Sequence, residues 1–125
     1  MKKVYYAHPM YLYGKPQEKR DVQLLEDLGF DIINPGADDY QEKFLEWNRD
    51  NKPDDPMDFF YDSIDECEIV AFRANPDLRV SAGTWGEVNY AKRCGKLIIE
   101  LPVLLSARGL SIDDTRELLK LLGQR

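Results

Sequence analysis

Residues 83–101 read GTWGEVNYAKRCGKLIIEL, and the order of their parts decides the fold. A Gly-rich start leads into a run with helical spacing, TWGEVNYAKRC at 84–94. Gly95 ends it, as a glycine just past a helix does. The run KLIIEL at 96–101 then reads as a strand. Its middle is almost entirely apolar, which predicts a strand buried in a parallel sheet.

The same alternation repeats upstream. VYYA at 4–7 is rich in aromatic and β-branched residues and reads as the first strand. HPMYLYGKP at 8–16 carries Pro and Gly and is a loop. Val22, Leu24, Leu25 and Leu28 share one helical face within 17–28, and Gly29 stops that helix. FDIINP at 30–35 is the second strand, closed by Pro35. Tyr40, Phe44 and Trp47 recur at helical spacing near 38–50, and NKPDDP breaks the run. A helix over 56–66 leads into EIVAF, the third strand, at 68–72. RANPDLRVSAG at 73–83 is a long loop. LPVLLSARGL at 101–110 fits no single element. Ser111 is placed to cap a last helix, with Asp113, Asp114 and Glu117 early in it and Lys120 near its end, as the helix dipole favours. Strands alternating with helices predict an α/β fold: a doubly wound parallel sheet of four to five strands in three α/β/α layers. Such sheets bind ligands at the carboxyl ends of their strands.

The chain has 125 residues, a length that fits one domain over 1–125. With 43% hydrophobic and 32% charged residues it reads as globular. No stretch is apolar for long enough to span a bilayer, so no membrane partner is expected. The opening MKKVYYAHPM is too short and too polar in its apolar run for a secretory signal, which points to a cytoplasmic location. A net charge of −6 argues against a nucleic-acid partner, which needs a basic face. A mononucleotide is compatible with it, because amides at a helix start can hold one phosphate. Cys67 and Cys94 form no C-x-x-C pair and read as reduced core or near-core thiols. The single His8 has no partner at ligand spacing, so no metal site is expected.

Glu87 admits two readings. With a helix starting near Thr84, Thr84 and Glu87 have the T-x-x-E spacing of a capping box, and neither needs a ligand. Alternatively, Gly83 and Gly86 let a ligand approach the backbone, and the positive helix start keeps Glu87 ionised as a nucleophile.

The ordered set VYYAHPM, LLEDLGFDIINP, CEIVAF and GTWGEVNYAKRCGKLIIEL resembles the nucleoside 2-deoxyribosyltransferase family and its relatives that hydrolyse deoxynucleoside 5′-monophosphates. The resemblance runs over about residues 4–101, and the G-T-x-x-E-x-x-Y-A segment is its most specific part. It implies a flavodoxin-like fold, in agreement with the strand and helix pattern. It implies cleavage or transfer of an N-glycosidic bond through a covalent glycosyl–Glu87 intermediate, without metal or cofactor. The substrate is then a small nucleoside or nucleotide. Tyr5 becomes the residue that orients Glu87. Ser81, with Gly83 and Thr84 in the same turn, contacts sugar or 5′-phosphate. A homodimer or higher homo-oligomer is implied, with a neighbour lending a Ser or Asn. Ser106 and Ser111 are the local candidates, and the apolar residues at 103–105 and near the end offer a dimer face.

Two positions depart from the family pattern. Phe60 stands where the family has the acid that contacts the leaving base, with Asp58 and Asp62 two residues to either side; Asp62 is the candidate catalytic replacement. His8 stands where the family commonly has Gly, and it either contacts the ligand or fills space. Lys15, Arg20, Arg79 and Arg108 are cations able to neutralise a phosphate. Trp85 is expected to pack in the core or at an interface. Alternatives are a pure 5′-monophosphate hydrolase and a non-catalytic nucleotide-binding module on the same fold. A flavin protein fits less well, because the first loop lacks a Ser/Thr-rich phosphate cradle.

Overall fold

KVYYA forms strand β1 (Lys3–Ala7), and its last four side chains have no exposed surface. Successive residues of a strand point to opposite faces. Val4 and Tyr6 therefore join one core cluster with Leu25, Ile69 and Ala71, while Tyr5 and Ala7 join the other with Ile64, Val70, Val88 and Ala91. A strand buried on both sides needs a sheet neighbour at each edge and a helical layer on each face. The computed structural model, which describes residues 2–101 and 110–124, supplies both.

After β1 come a 3-10 turn (Met10–Leu12), α1 (Pro16–Asp27), β2 (Asp31–Ile33), α2 (Asp38–Asn51) and α3 (Asp58–Asp65). Then follow β3 (Ile69–Arg73), α4 (Ala82–Arg93), β4 (Leu97–Leu101) and a last helix, α5 (Ile112–Leu121). The four described strands are all parallel in the order β2-β1-β3-β4. This is the flavodoxin-like α/β arrangement read from the sequence, with the order reversing between β1 and β3. Leu25 of α1 packs on one face; Ile64 of α3 and Val88 and Ala91 of α4 pack on the other. Pro16 opens α1 at a position where its missing N–H costs nothing. Gly29 ends the helix at φ +90°, as its position just past the last turn requires. Ser111 caps α5 by accepting from the Asp114 amide at 3.0 Å.

Three expectations need correction. β4 is not wholly buried: it pairs only with β3 among the described strands, and Leu97 is 61% exposed. An apolar composition marks a strand but does not say whether it lies at the centre or the edge. α4 begins two residues earlier than its apolar spacing suggests, so Ser81 is the N-cap, with φ −60° and ψ 150°. Thr84 therefore lies inside the first turn, buried, and the Thr84–Glu87 capping box does not form. Cys67 is buried as expected, but Cys94, at the end of α4, is exposed.

α1 is tied to the sheet by a buried polar cluster as well as by Leu25. Asp21 accepts from the Tyr6 hydroxyl and from both Nε and Nη2 of Arg73, the latter at 2.7 Å, and Gln17 donates to it at 2.9 Å. The Asp21 carboxylate keeps Arg73 protonated above the ordinary guanidinium range. Removing one member strands the other charge. Arg73→Met is expected to lower unfolding free energy by about 3–5 kcal/mol. Chemical denaturation at pH 7 reads this directly, and a loss under about 1 kcal/mol would mean that Asp21 relaxes into water.

Candidate active site

The carboxyl end of β1, the start of α4 and the inner faces of α2 and α3 enclose a cavity of about 490 Å³. Its size lies within the range of small-ligand pockets. The β1–α1 loop contributes His8 and Tyr13, α2 contributes Gln41 and Phe44, and α3 contributes Phe60. Ser81, Gly83, Thr84 and Glu87 come from the cap and first turns of α4. No helix among the described residues is long and apolar enough to cross a membrane.

Glu87 is the one carboxylate among the described residues that line this cavity. It sits in the second turn of α4 and is 7% exposed, and its Oε2 is buried with no hydrogen-bond partner among the described residues. Burial raises its pKa from 4.5 to about 7, and the nearby Tyr5 hydroxyl pulls it partly back down. Burial thus works against the ionisation that a place near the helix start favours. The Tyr5 hydroxyl lies beneath on β1, fully buried and also without a partner of good geometry among the described residues. The two groups are thus in electrostatic contact but short of a formed hydrogen bond. Burial first, and then the charge of Glu87, push the Tyr5 hydroxyl well above its usual value. The same two causes act on Tyr13, and Tyr40 rises to about 12. A buried carboxylate among tyrosines, with one oxygen unpaired among the described residues, is an arrangement that folding alone does not favour.

Ser81 caps α4 by position, but its side chain makes no cap bond. Its hydroxyl instead exchanges hydrogen bonds with Asn75, which donates through Nδ2 at 3.0 Å and accepts through Oδ1 at 3.3 Å. Tyr11 donates to the same Oδ1 at 2.9 Å. The first amide of α4 to find a helical partner is Trp85, bonded to the Ser81 carbonyl at 2.8 Å. The amides of Ala82, Gly83 and Thr84 precede it, as unpaired donors do at a helix start. A Cβ on Gly83 would meet nothing within 4 Å, whereas one on Gly86 would touch the Tyr61 hydroxyl at 3.7 Å. Space beside Gly83 is therefore open to the cavity rather than filled by protein.

The other sequence candidates are distributed unevenly. His8 lines the cavity, but its ring is stacked on Tyr6 at 3.8 Å and both nitrogens are occupied, by the Tyr6 carbonyl at 2.9 Å and Glu18 Oε2 at 2.7 Å. Asp62 faces a separate groove of about 540 Å³ with Asn34, Lys43 and Trp47, away from Glu87. Phe60 occupies the cavity wall in its stead. Arg79 is exposed and paired with Asp77 at 2.6 Å, and Arg20 bonds Gln17. Trp85 is 45% exposed, with the Lys92 ammonium 5.2 Å from its ring centre. Ser106, Arg108 and the apolar residues at 103–105 lie outside the described residues. Sequence reasoning missed Tyr13, Gln41, Phe44, Asn75 and Glu18. Only the Tyr40–Phe44–Trp47 spacing signalled any of them, and it said helix face, not pocket wall.

No protein-family model matches this chain, and a search of curated proteins finds no matching relative.

Two measurements follow from this geometry. The folded protein holds the Glu87 proton more tightly than the unfolded chain, so the resulting stability is complete below pH 4.5 and is lost as pH rises to about 7. At pH 8 the buried charge costs on the order of 3 kcal/mol. Glu87→Gln is therefore expected to be more stable than the native protein at pH 8 and equal to it near pH 4.5, as read by denaturant unfolding at both. Gly83→Ala is expected to stabilise α4 by about 0.5 kcal/mol, while weakening any ligand that uses the space beside residue 83. Thermal shift with and without a deoxynucleoside separates the two effects.

Proposed function

We propose that this chain cleaves or transfers the N-glycosidic bond of a 2-deoxynucleoside or its 5′-monophosphate. The observation that carries the proposal is Glu87: one buried carboxylate, without a partner at Oε2 among the described residues, lining a cavity in the size range of small-ligand pockets with the Tyr5 hydroxyl beneath it. The G-T-x-x-E-x-x-Y-A segment and the V-Y-Y-A strand, which resemble the nucleoside 2-deoxyribosyltransferase family, are the segments that build this pair.

In the first step the ionised Glu87 attacks C1′ of the sugar. The C1′–N bond breaks, its electron pair leaves with the base, and an ester joins C1′ to the Glu87 oxygen. In the second step a nitrogen of another base, or water, attacks C1′, and the ester electrons return to Glu87. Water loses a proton to solvent in that step and yields the free sugar. Tyr5 is placed to hold the carboxylate toward C1′ and to donate to the oxygen that is not attacking. Tyr13, Phe44 and Phe60 provide flat apolar surface for the base. The 5′ end falls to Ser81 and the amides ahead of Trp85, donors suited to a hydroxyl or to a phosphate. With Phe60 on the wall, no side-chain acid from α3 protonates the departing base, and the base takes its proton from solvent.

That same Phe60 favours a second reading, a nucleotide-binding module in which the cavity is kept and turnover is not. One experiment separates the two. The protein and Glu87→Ala are incubated with a panel of deoxynucleosides and their 5′-monophosphates, with and without an acceptor base, and products are resolved by chromatography. Release of free base without acceptor, abolished in Glu87→Ala, is the hydrolase outcome; exchange only with acceptor is the transferase outcome. The rate of the first step is expected to rise with pH through about 7 as Glu87 ionises. Equal binding by both proteins with no turnover of any substrate would leave the binding module.

A further inference from the structure

The β1–α1 loop forms a wall of the cavity, and two of its residues, His8 and Gly14, are held by one side chain that does not line the cavity. Glu18, in the first turn of α1, is 6% exposed. Its Oε2 binds His8 Nε2 at 2.7 Å and its Oε1 accepts from the Gly14 amide at 3.1 Å. Both contacts brace the segment that carries Tyr13. The β2–α2 loop closes over the same carboxylate. A Cβ built on Gly36 would run into Glu18 Oε2, and would lie 2.8 Å from Tyr13 Cδ1 and 3.0 Å from Tyr13 Cγ. The Gly36 backbone is not in the left-handed region, so its lack of a side chain serves space rather than conformation. The Tyr13 ring in turn packs against His8, with centroids 4.9 Å apart.

We propose that Glu18 is a positioning residue of the candidate active site: it ties His8 to the Gly14 amide beneath the close-packed Gly36 backbone, so that Tyr13 is held as the cavity wall facing Glu87. The proposal rests on reading that cavity as the substrate site, but the brace itself is testable without turnover. Glu18 touches neither the cavity interior nor Glu87; it acts through Tyr13. The suppressed acidity of the Tyr13 hydroxyl, caused by burial and then by Glu87, agrees with that placement.

Three variants test it. Glu18→Ala removes both bonds. Gly36→Ala leaves Glu18 intact and displaces it sterically together with Tyr13. Glu18→Gln keeps an acceptor for the Gly14 amide and presents an N–H to a neutral His8, so it is the conservative rescue. With a deoxynucleoside that the native protein turns over, the two alanine variants are expected to lose about tenfold in kcat/KM, most of it in KM, while Glu18→Gln stays near the native value. Independently, carboxyl-carbon NMR of labelled glutamate, with Glu87 assigned through Glu87→Gln, reads the Glu87 titration. Its midpoint is expected to fall from about 7 toward 4.5 in both alanine variants, as the wall opens to water, and to stay in Glu18→Gln.

Folded alanine variants with native KM and a native midpoint would reduce Glu18 to a stability residue and overturn the proposal. Should Glu18→Ala not fold, Gly36→Ala decides alone on the same criteria. If the native protein turns over none of the panel, a shifted midpoint still upholds the brace while the glycosidase reading falls. An unshifted one sinks the brace, whatever the activity.

Discussion

β1 is buried on both faces, and every other element answers to that constraint. Four consecutive side chains with no exposed surface cannot be covered by one layer. β2 and β3 take its two edges in parallel, α1 covers Val4 and Tyr6, and α3 with α4 covers Tyr5 and Ala7. Adjacent tyrosines then do different work. Tyr6 donates to Asp21 and helps lock α1 and Arg73 to the sheet. Tyr5, one residue earlier, lies beneath Glu87 with its hydroxyl unsatisfied. One register choice thus separates a satisfied polar cluster from an unsatisfied one on opposite sides of a single strand.

The contrast between those two clusters is the strongest argument about function. Around Asp21 every acceptor is used, by Tyr6, Gln17 and both arms of Arg73. Around Glu87, at comparable burial, no cation pairs among the described residues, and none of them bonds Oε2. At Glu87 the fold carries the penalty of burial as a raised pKa, which leaves a carboxylate close to half ionised near neutral pH. Gly83 points the same way: glycine in a helical turn weakens it, and no atom of the described residues occupies the room this one leaves.

Much of the architecture was legible in the sequence because its signals are local. Gly29 and Gly95 mark helix ends through φ of +90° and +73°, and both were read as stops. Ser111 announces its helix through a bond to an amide three residues on. The errors came where the deciding partner is distant. Thr84 and Glu87 have capping-box spacing, but Ser81 takes the cap position and its hydroxyl goes to Asn75, six residues back. KLIIEL looked central because it is apolar, and the strand order makes it the outermost described strand. Asp62, two residues from Phe60, faces a different groove because two residues on a helix turn a side chain through more than half a rotation.

The sequence alone determined the succession of strands and helices, the parallel sheet they imply, and the identity of Glu87, Tyr5 and Ser81 as residues worth placing. Periodicity, turn chemistry and capping act over a few residues, so they can be read along a chain. Only the tertiary structure decided what surrounds those residues: that Glu87 is desolvated, that His8 is spent on Glu18 and the Tyr6 carbonyl, and that Phe60 rather than Asp62 lines the cavity. Burial and electrostatics depend on groups brought together from β1, the β1–α1 loop, α2, α3 and α4, and no spacing along the chain encodes that meeting.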